Sequence, residues 1–143
     1  MNLSRILIAT LIAALFTFAT DYLFYGILMS DQYTGSVFLE TPRFVWMIVG
    51  YFIFGYAFAH IYVRGLEEKP VVPQGVRYGV LVALLVFVFG NLMSYSTMNI
   101  ANMNQILTDS AYRIVQMVIL GVTVASFIGG NAGRPGMSSG GGA

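Results

Sequence analysis

The chain has 143 residues, of which 57% are apolar, 15% aromatic and only 9% charged. Soluble domains carry roughly a quarter charged residues, so this composition excludes an ordinary water-facing globule. Seven Lys and Arg against six Asp and Glu leave no basic surplus for nucleic acid, and the lack of cysteine excludes disulfides, thiolate nucleophiles and cysteine-ligated metals.

Four apolar stretches are long enough to cross a hydrocarbon core of about 30 Å, which takes about 20 helical residues. The first runs from Ile6 to Met29 and is interrupted only by Asp21; the others run from Phe44 to Val63, from Tyr78 to Met98 and from Tyr112 to Gly129. Backbone polar groups in lipid must be bonded within the segment, and the period-two alternation of a barrel is missing. The pattern therefore predicts an all-α fold, a bundle of four transmembrane helices over residues 1–130. Arg5, the first apolar run and Thr17-Phe18-Ala19 outline a signal peptide, but the run continues through Tyr22-Leu23-Phe24-Tyr25 without a polar break, which favours an uncleaved span.

The connections carry their own punctuation. Thr41 before Pro42 predicts the start of the second helix, and Asp109 or Ser110 that of the fourth, since short polar side chains cap exposed amides and proline at the first turn loses no bond. Gly65, Pro70, Pro73 and Gly75 predict a short linker between the second and third helices. Two outer connections, Ser30 to Glu40 and Ser96 to Leu107, mix polar with apolar residues; Met98, Met103, Ile106 and Leu107 suit a docking contact. Residues 131–143 are Gly- and Ser-rich and predict a disordered tail.

With four spans, the N-terminus, the middle linker and the tail share one side. They hold Arg5, Arg64, Lys69, Arg77 and Arg134, whereas the other two loops hold Arg43 and Arg113. The positive-inside rule then places both termini in the cytoplasm. An offset of 70 residues aligns the two halves without a gap: Leu11–Leu15 falls on Leu81–Leu85, Asp21 on Asn91, Tyr25 on Tyr95 and Arg43 on Arg113. This self-similarity predicts two helical hairpins related by a pseudo-twofold axis along the membrane normal.

Asp21 is the residue most in need of explanation, because an acid inside a span costs about 2.5–3.5 kcal/mol at the membrane centre. It lies about 22 Å along its helix, in the outer half of the membrane. Ala14, Thr17, Asp21 and Tyr25 share a stripe at helical spacing, and Tyr51, Gly55, Ala59 and Tyr62 share another. Depth arithmetic brings Asp21, Tyr25, Tyr51, Asn91, Tyr95 and Gln116 to one polar layer. Two readings stand: a hydrogen-bonded cluster holding the bundle together, or a proton-coupled or ligand-binding site open to the outer face. Tyr25 and Tyr95, like Trp46 and Tyr112, also suit an interfacial aromatic belt. Gly121, Ala125 and Gly129, with Gly55 and Ala59, predict close helix packing.

His60 is the only histidine and lies near the cytoplasmic end of the second helix. A lone imidazole can ligate a pigment or haem axially, but an interfacial hydrogen-bonded side chain accounts for it with fewer requirements. Glu67 and Glu68 read as solvated linker charges. Phosphate-cradling glycine loops, a Ser/His/Asp set and ligand-spaced His/carboxylate clusters are all missing from the sequence, so no resident cofactor or metal is expected.

The first-helix run Thr20-Asp21-Tyr22-Leu23-Phe24-Tyr25-Gly26-Ile27-Leu28 and the final span Tyr112-Arg113-Ile114-Val115-Gln116-Met117-Val118-Ile119-Leu120-Gly121 resemble a family of small bacterial four-helix membrane proteins of unknown function. The resemblance covers the four spans but not the tail; it implies a bacterial inner-membrane protein and supplies no catalytic residues. The function expected is non-enzymatic, an accessory or scaffold subunit among other membrane proteins or copies of itself. The alternative is a small proton-coupled transporter using Asp21.

Overall fold

The computed structural model describes residues 3–32, 43–65, 70–97 and 102–129. Helix is the only regular structure among them. Four helices are long and apolar enough to cross a membrane: α1 (Leu3–Leu28), α2 (Phe44–Arg64), α3 (Val71–Thr97) and α4 (Met103–Gly129). The shortest, α2, has 21 residues and so spans about 32 Å. Thr41-Pro42, Glu67-Glu68 and the tail lie outside the described residues. The start of α2 that is described has Arg43 at its N-cap.

Two helix boundaries differ from the sequence expectation. The third helix starts at Val71, not Tyr78, and takes Pro73 and Gly75 into its first turns. Proline is harmless there, because the first amides of a helix have no partner one turn back. The fourth helix starts at Met103, nine residues before Tyr112. Its cap is neither Asp109 nor Ser110 but Asn102: the Gln105 amide donates to Asn102 Oδ1 at 2.9 Å, and the Asn102 amide donates to Gln105 Oε1 at 3.2 Å. This reciprocal pair satisfies two otherwise unpartnered donors. Asp109 is thereby released to the helix interior.

Neither α1 nor α3 is α-helical throughout. A π-helical segment covers Phe24–Leu28 in α1, where the Met29 amide donates to the Phe24 carbonyl at 2.8 Å, and another covers Ala83–Val88 in α3. Each widens a turn and rotates the side chains beyond it relative to an unbroken α-helix.

The helices pack as two hairpins, α1 with α2 and α3 with α4, joined by contact between α1 and α4. Small residues set both hairpins. A Cβ at Gly55 would sit 2.6 Å from the Thr10 carbonyl oxygen, and one at Gly75 2.7 Å from that of Gly121. Such backbone approach maximises dispersion contact where no hydrophobic force separates protein from lipid. The core follows from it: Ala9 and Ala13 of α1, Phe58, Ala59 and Tyr62 of α2, Ala83 of α3, and Met117, Leu120, Val124, Ala125 and Ile128 of α4. By contrast, α2 and α3 come together chiefly through aromatic rings, Phe54 on Phe87, Phe58 on Tyr78 and Tyr62 on Tyr78. The outward surface is apolar; Leu85, Val45 and Trp46 are each more than 70% exposed. Thr10 and Thr17, both buried, return their hydroxyls to their own helix carbonyls at 2.8 Å and so leave no unpartnered hydroxyl in the packed interior.

Gly79 and Gly90 separate close packing from helix propensity. A Cβ at Gly79 meets Met117 and Val118 backbone, whereas one at Gly90 has nothing within 4 Å. Gly79→Ala is expected to lower stability by about 1–3 kcal/mol, and Gly90→Ala to cost nothing, as read by thermal unfolding in detergent. Equal loss from both would remove the backbone contact as the cause.

Candidate functional site

One end of the bundle gathers the C-terminal parts of α1 and α3 and the N-terminal parts of α2 and α4. Asp21 lies there, 7% exposed, on the stripe with Ala14 and Thr17 that faces protein. Its partner is Arg113 of α4, whose Nη1 lies 2.7 Å from Asp21 Oδ1. Two further donors reach the same oxygen, the Tyr112 hydroxyl at 2.9 Å and Gln116 Nε2 at 2.8 Å. The Tyr51 hydroxyl donates to Oδ2 at 2.9 Å. Four donors from α2 and α4 thus converge on one carboxylate of α1.

The donors are themselves held. Gln116 Oε1 accepts from Arg113 Nη1 at 2.8 Å, and Gln116 Nε2 also reaches the Thr20 hydroxyl at 2.6 Å. The Thr20 hydroxyl in turn donates to the Phe16 carbonyl at 2.7 Å. The Tyr112 ring lies parallel to Phe24 with centroids 3.8 Å apart. The Arg113 guanidinium sits over three rings, 4.5 Å from the centre of Phe87, 5.2 Å from Tyr25 and 5.4 Å from Tyr112. Its Nε is buried with no hydrogen-bond acceptor among the described residues. The ring faces supply the attraction that solvent would otherwise provide.

A second carboxylate extends the network. Asp109, one turn before Arg113 on α4, accepts from the Tyr25 hydroxyl at Oδ1 and from Asn91 Nδ2 at Oδ2. Asn91 also reaches Ser110 Oγ at 3.3 Å. Asp109 therefore ties α1 and α3 to α4, just as Asp21 ties α1 and α2 to α4. The site holds two carboxylates to one guanidinium.

Of the six residues assigned to one layer from sequence, Asp21, Tyr51 and Gln116 meet directly, and Tyr25 and Asn91 join through Asp109. Tyr95 does not join; it is 42% exposed near the end of α3. The π-helical turn at Phe24–Leu28 accompanies the inward placement of Tyr25, while α3 is α-helical from Phe89 to Thr97. Tyr112, expected in the aromatic belt, turns inward instead. A fourth span beginning at Tyr112 leaves Arg113 at its outer edge, where the sequence groups it with the loop charges. On a helix beginning at Met103 it is an interior residue, and Asp109, Tyr112, Arg113 and Gln116 recur at three- and four-residue spacing on one face. That spacing, together with the Asn102-to-Gln105 cap signal, was the available clue.

An open cleft of about 300 Å³ adjoins the ion pair, lined by Thr17, Asp21, Met47, Gly50, Tyr51, Phe54, Phe87 and Arg113. His60 lies outside this region. Its ring packs on Tyr56 with centroids 5.5 Å apart, and its Nδ1 is buried without a hydrogen-bond partner among the described residues. Those residues hold no group of three or more His, Cys or carboxylate side chains placed to bind a metal.

Comparison with known proteins adds no relative. No family model, curated protein or solved structure matches this chain. The reading of the site therefore rests on its geometry.

Removing one partner of a buried pair strands the other charge. Arg113→Gln is expected to lower stability by about 3 kcal/mol or more, and Asp21→Asn in that background to restore part of the loss. Thermal unfolding of the two single variants, the double variant and the parent in detergent measures the coupling. Strictly additive losses would show that the pair does not act as a unit.

Proposed function

We propose that the chain is a non-enzymatic integral membrane protein serving as an accessory or scaffold subunit. In this reading it sits in a bacterial inner membrane with both termini cytoplasmic, beside other membrane subunits or further copies of itself. A respiratory or photosynthetic assembly is one such host. The observation that carries the reading is the satisfied state of Asp21: four donors consume its acceptor capacity and leave the helices cross-linked. A carboxylate held in this way is arranged for structure, and the surface left for contact is apolar. Small residues in both hairpins, Ala9 and Ala13 in one and Gly79 and Ala83 at the 70-residue offset in the other, support reading the hairpins as a duplicated unit related by a pseudo-twofold axis. Mild solubilisation from native membrane followed by native mass measurement tests the role. A second chain or a homo-oligomer is expected; a lone monomer overturns it.

One observation favours a second reading, proton-coupled transport through Asp21: an open cleft lies beside the ion pair, with Asp21 and Arg113 both in its lining. Proteoliposomes carrying an internal pH dye distinguish the two readings, with ethidium as a lipophilic-cation probe. A transporter shows proton movement that depends on ethidium and is lost in Asp21→Asn. Equal signals from parent and variant reject Asp21 as the coupling group.

A further inference from the structure

The cleft beside the ion pair, at about 300 Å³, stands at the lower end of the range that holds a small molecule. We propose that it binds one neutral lipophile of the quinone type, a flat ring whose carbonyl oxygen accepts from Arg113.

Three observations point to that occupant. The first is room that packing leaves unused. Gly50 lines the cleft from the interior of α2, and a Cβ there would have nothing within 4 Å. Glycine inside a helix is unfavourable unless its small size serves a contact. Gly55 admits the backbone of α1 in that way, whereas Gly50 admits no neighbour and leaves open space.

The second is an unspent donor. Arg113 also lines the cleft, and its hydrogen bonds to Asp21 and Gln116 both leave from Nη1. Nε and Nη2 have no acceptor among the described residues, and of the two only Nε is enclosed. The ring faces around the guanidinium answer its charge, but they do not replace an oxygen in line with an N–H bond.

The third is charge. Arg113 is paired with Asp21 and follows Asp109 by one turn, so an anion would bring a third negative group to one guanidinium. A cation would meet Arg113 in the lining and find Asp21 already accepting from four donors. A neutral acceptor meets neither obstacle. Met47, Phe54, Phe87 and the Tyr51 ring supply the apolar part of the wall, and ring surfaces of this kind suit a flat body. Such binding needs no proton movement, so it is independent of transport through Asp21.

Native mass spectrometry of the full chain in mild detergent tests this with decylubiquinone. Decylbenzene serves as a comparator with no acceptor, decanoate as an anion and tetraphenylphosphonium as a cation. One decylubiquinone per chain is expected, held about tenfold more tightly than decylbenzene, the scale of one hydrogen bond from a charged donor. Gly50→Leu, which adds its side chain where Cβ meets nothing, is expected to fill the cleft and abolish uptake. Gly90→Leu, at an equally open glycine outside the lining, is expected to leave uptake unchanged. Arg113→Lys keeps the charge opposite Asp21 but removes Nη2, and is expected to erase the tenfold advantage while decylbenzene binding persists. Equal binding of decylubiquinone and decylbenzene by the parent, or undiminished uptake by Gly50→Leu, overturns the proposal. Tighter binding of decanoate or of tetraphenylphosphonium than of decylubiquinone does so too, because it would assign the cleft to a charged ligand.

Discussion

The ion pair between Asp21 and Arg113 constrains the rest of the bundle. Each charge alone would be expelled from a low-dielectric interior. Together, at 2.7 Å and surrounded by Tyr51, Tyr112 and Gln116, they exchange hydration for fixed donors and ring faces. The geometry this requires is narrow. α1 must present its Asp21 face to α4 at the level of Arg113, and α2 must bring Tyr51 to the same height. Helix register is specified at one end by these polar contacts. Toward the other end it is specified by shape, where Gly75 and Gly121 admit backbone to backbone. Apolar packing in lipid discriminates poorly between registers, because many outward residues are interchangeable; a carboxylate that must find four donors does not tolerate a slip.

The four spans and the inward stripe of α1 were legible in the sequence, for the same reason. Hydropathy reports the solvent of a segment directly, and an acid among aliphatic residues must face protein. What hid part of the site was the start of the fourth helix. The polar residues from Asn102 to Ser110 lower the local hydropathy, so hydropathy alone begins the span at Tyr112, although the Asn102–Gln105 cap starts the helix at Met103. That displacement put Asp109 at a helix cap and Arg113 in a loop, and with them the two residues that organise the network. Hydropathy finds where a helix is buried in lipid. It does not find where the helix begins, because a helix rising through the headgroup region is held by caps and side-chain bonds.

Positions 70 residues apart agree in the packed interior and part company at the polar end. Ala9 and Gly79 are both buried, as are Ala13 and Ala83. Asp21, however, corresponds to Asn91, and the partly buried Arg113 to Arg43, which is exposed at the start of α2. An amide cannot hold a guanidinium as a carboxylate can, and Asn91 is instead taken up by Asp109. The difference falls on the two seams between the hairpins. Where α1 faces α4, a charged pair and its donors draw the helices into direct contact. Where α2 faces α3, the matching positions supply no such pair, and aromatic rings bridge the space with clefts left above and below them. The open seam is thus the counterpart of the closed one.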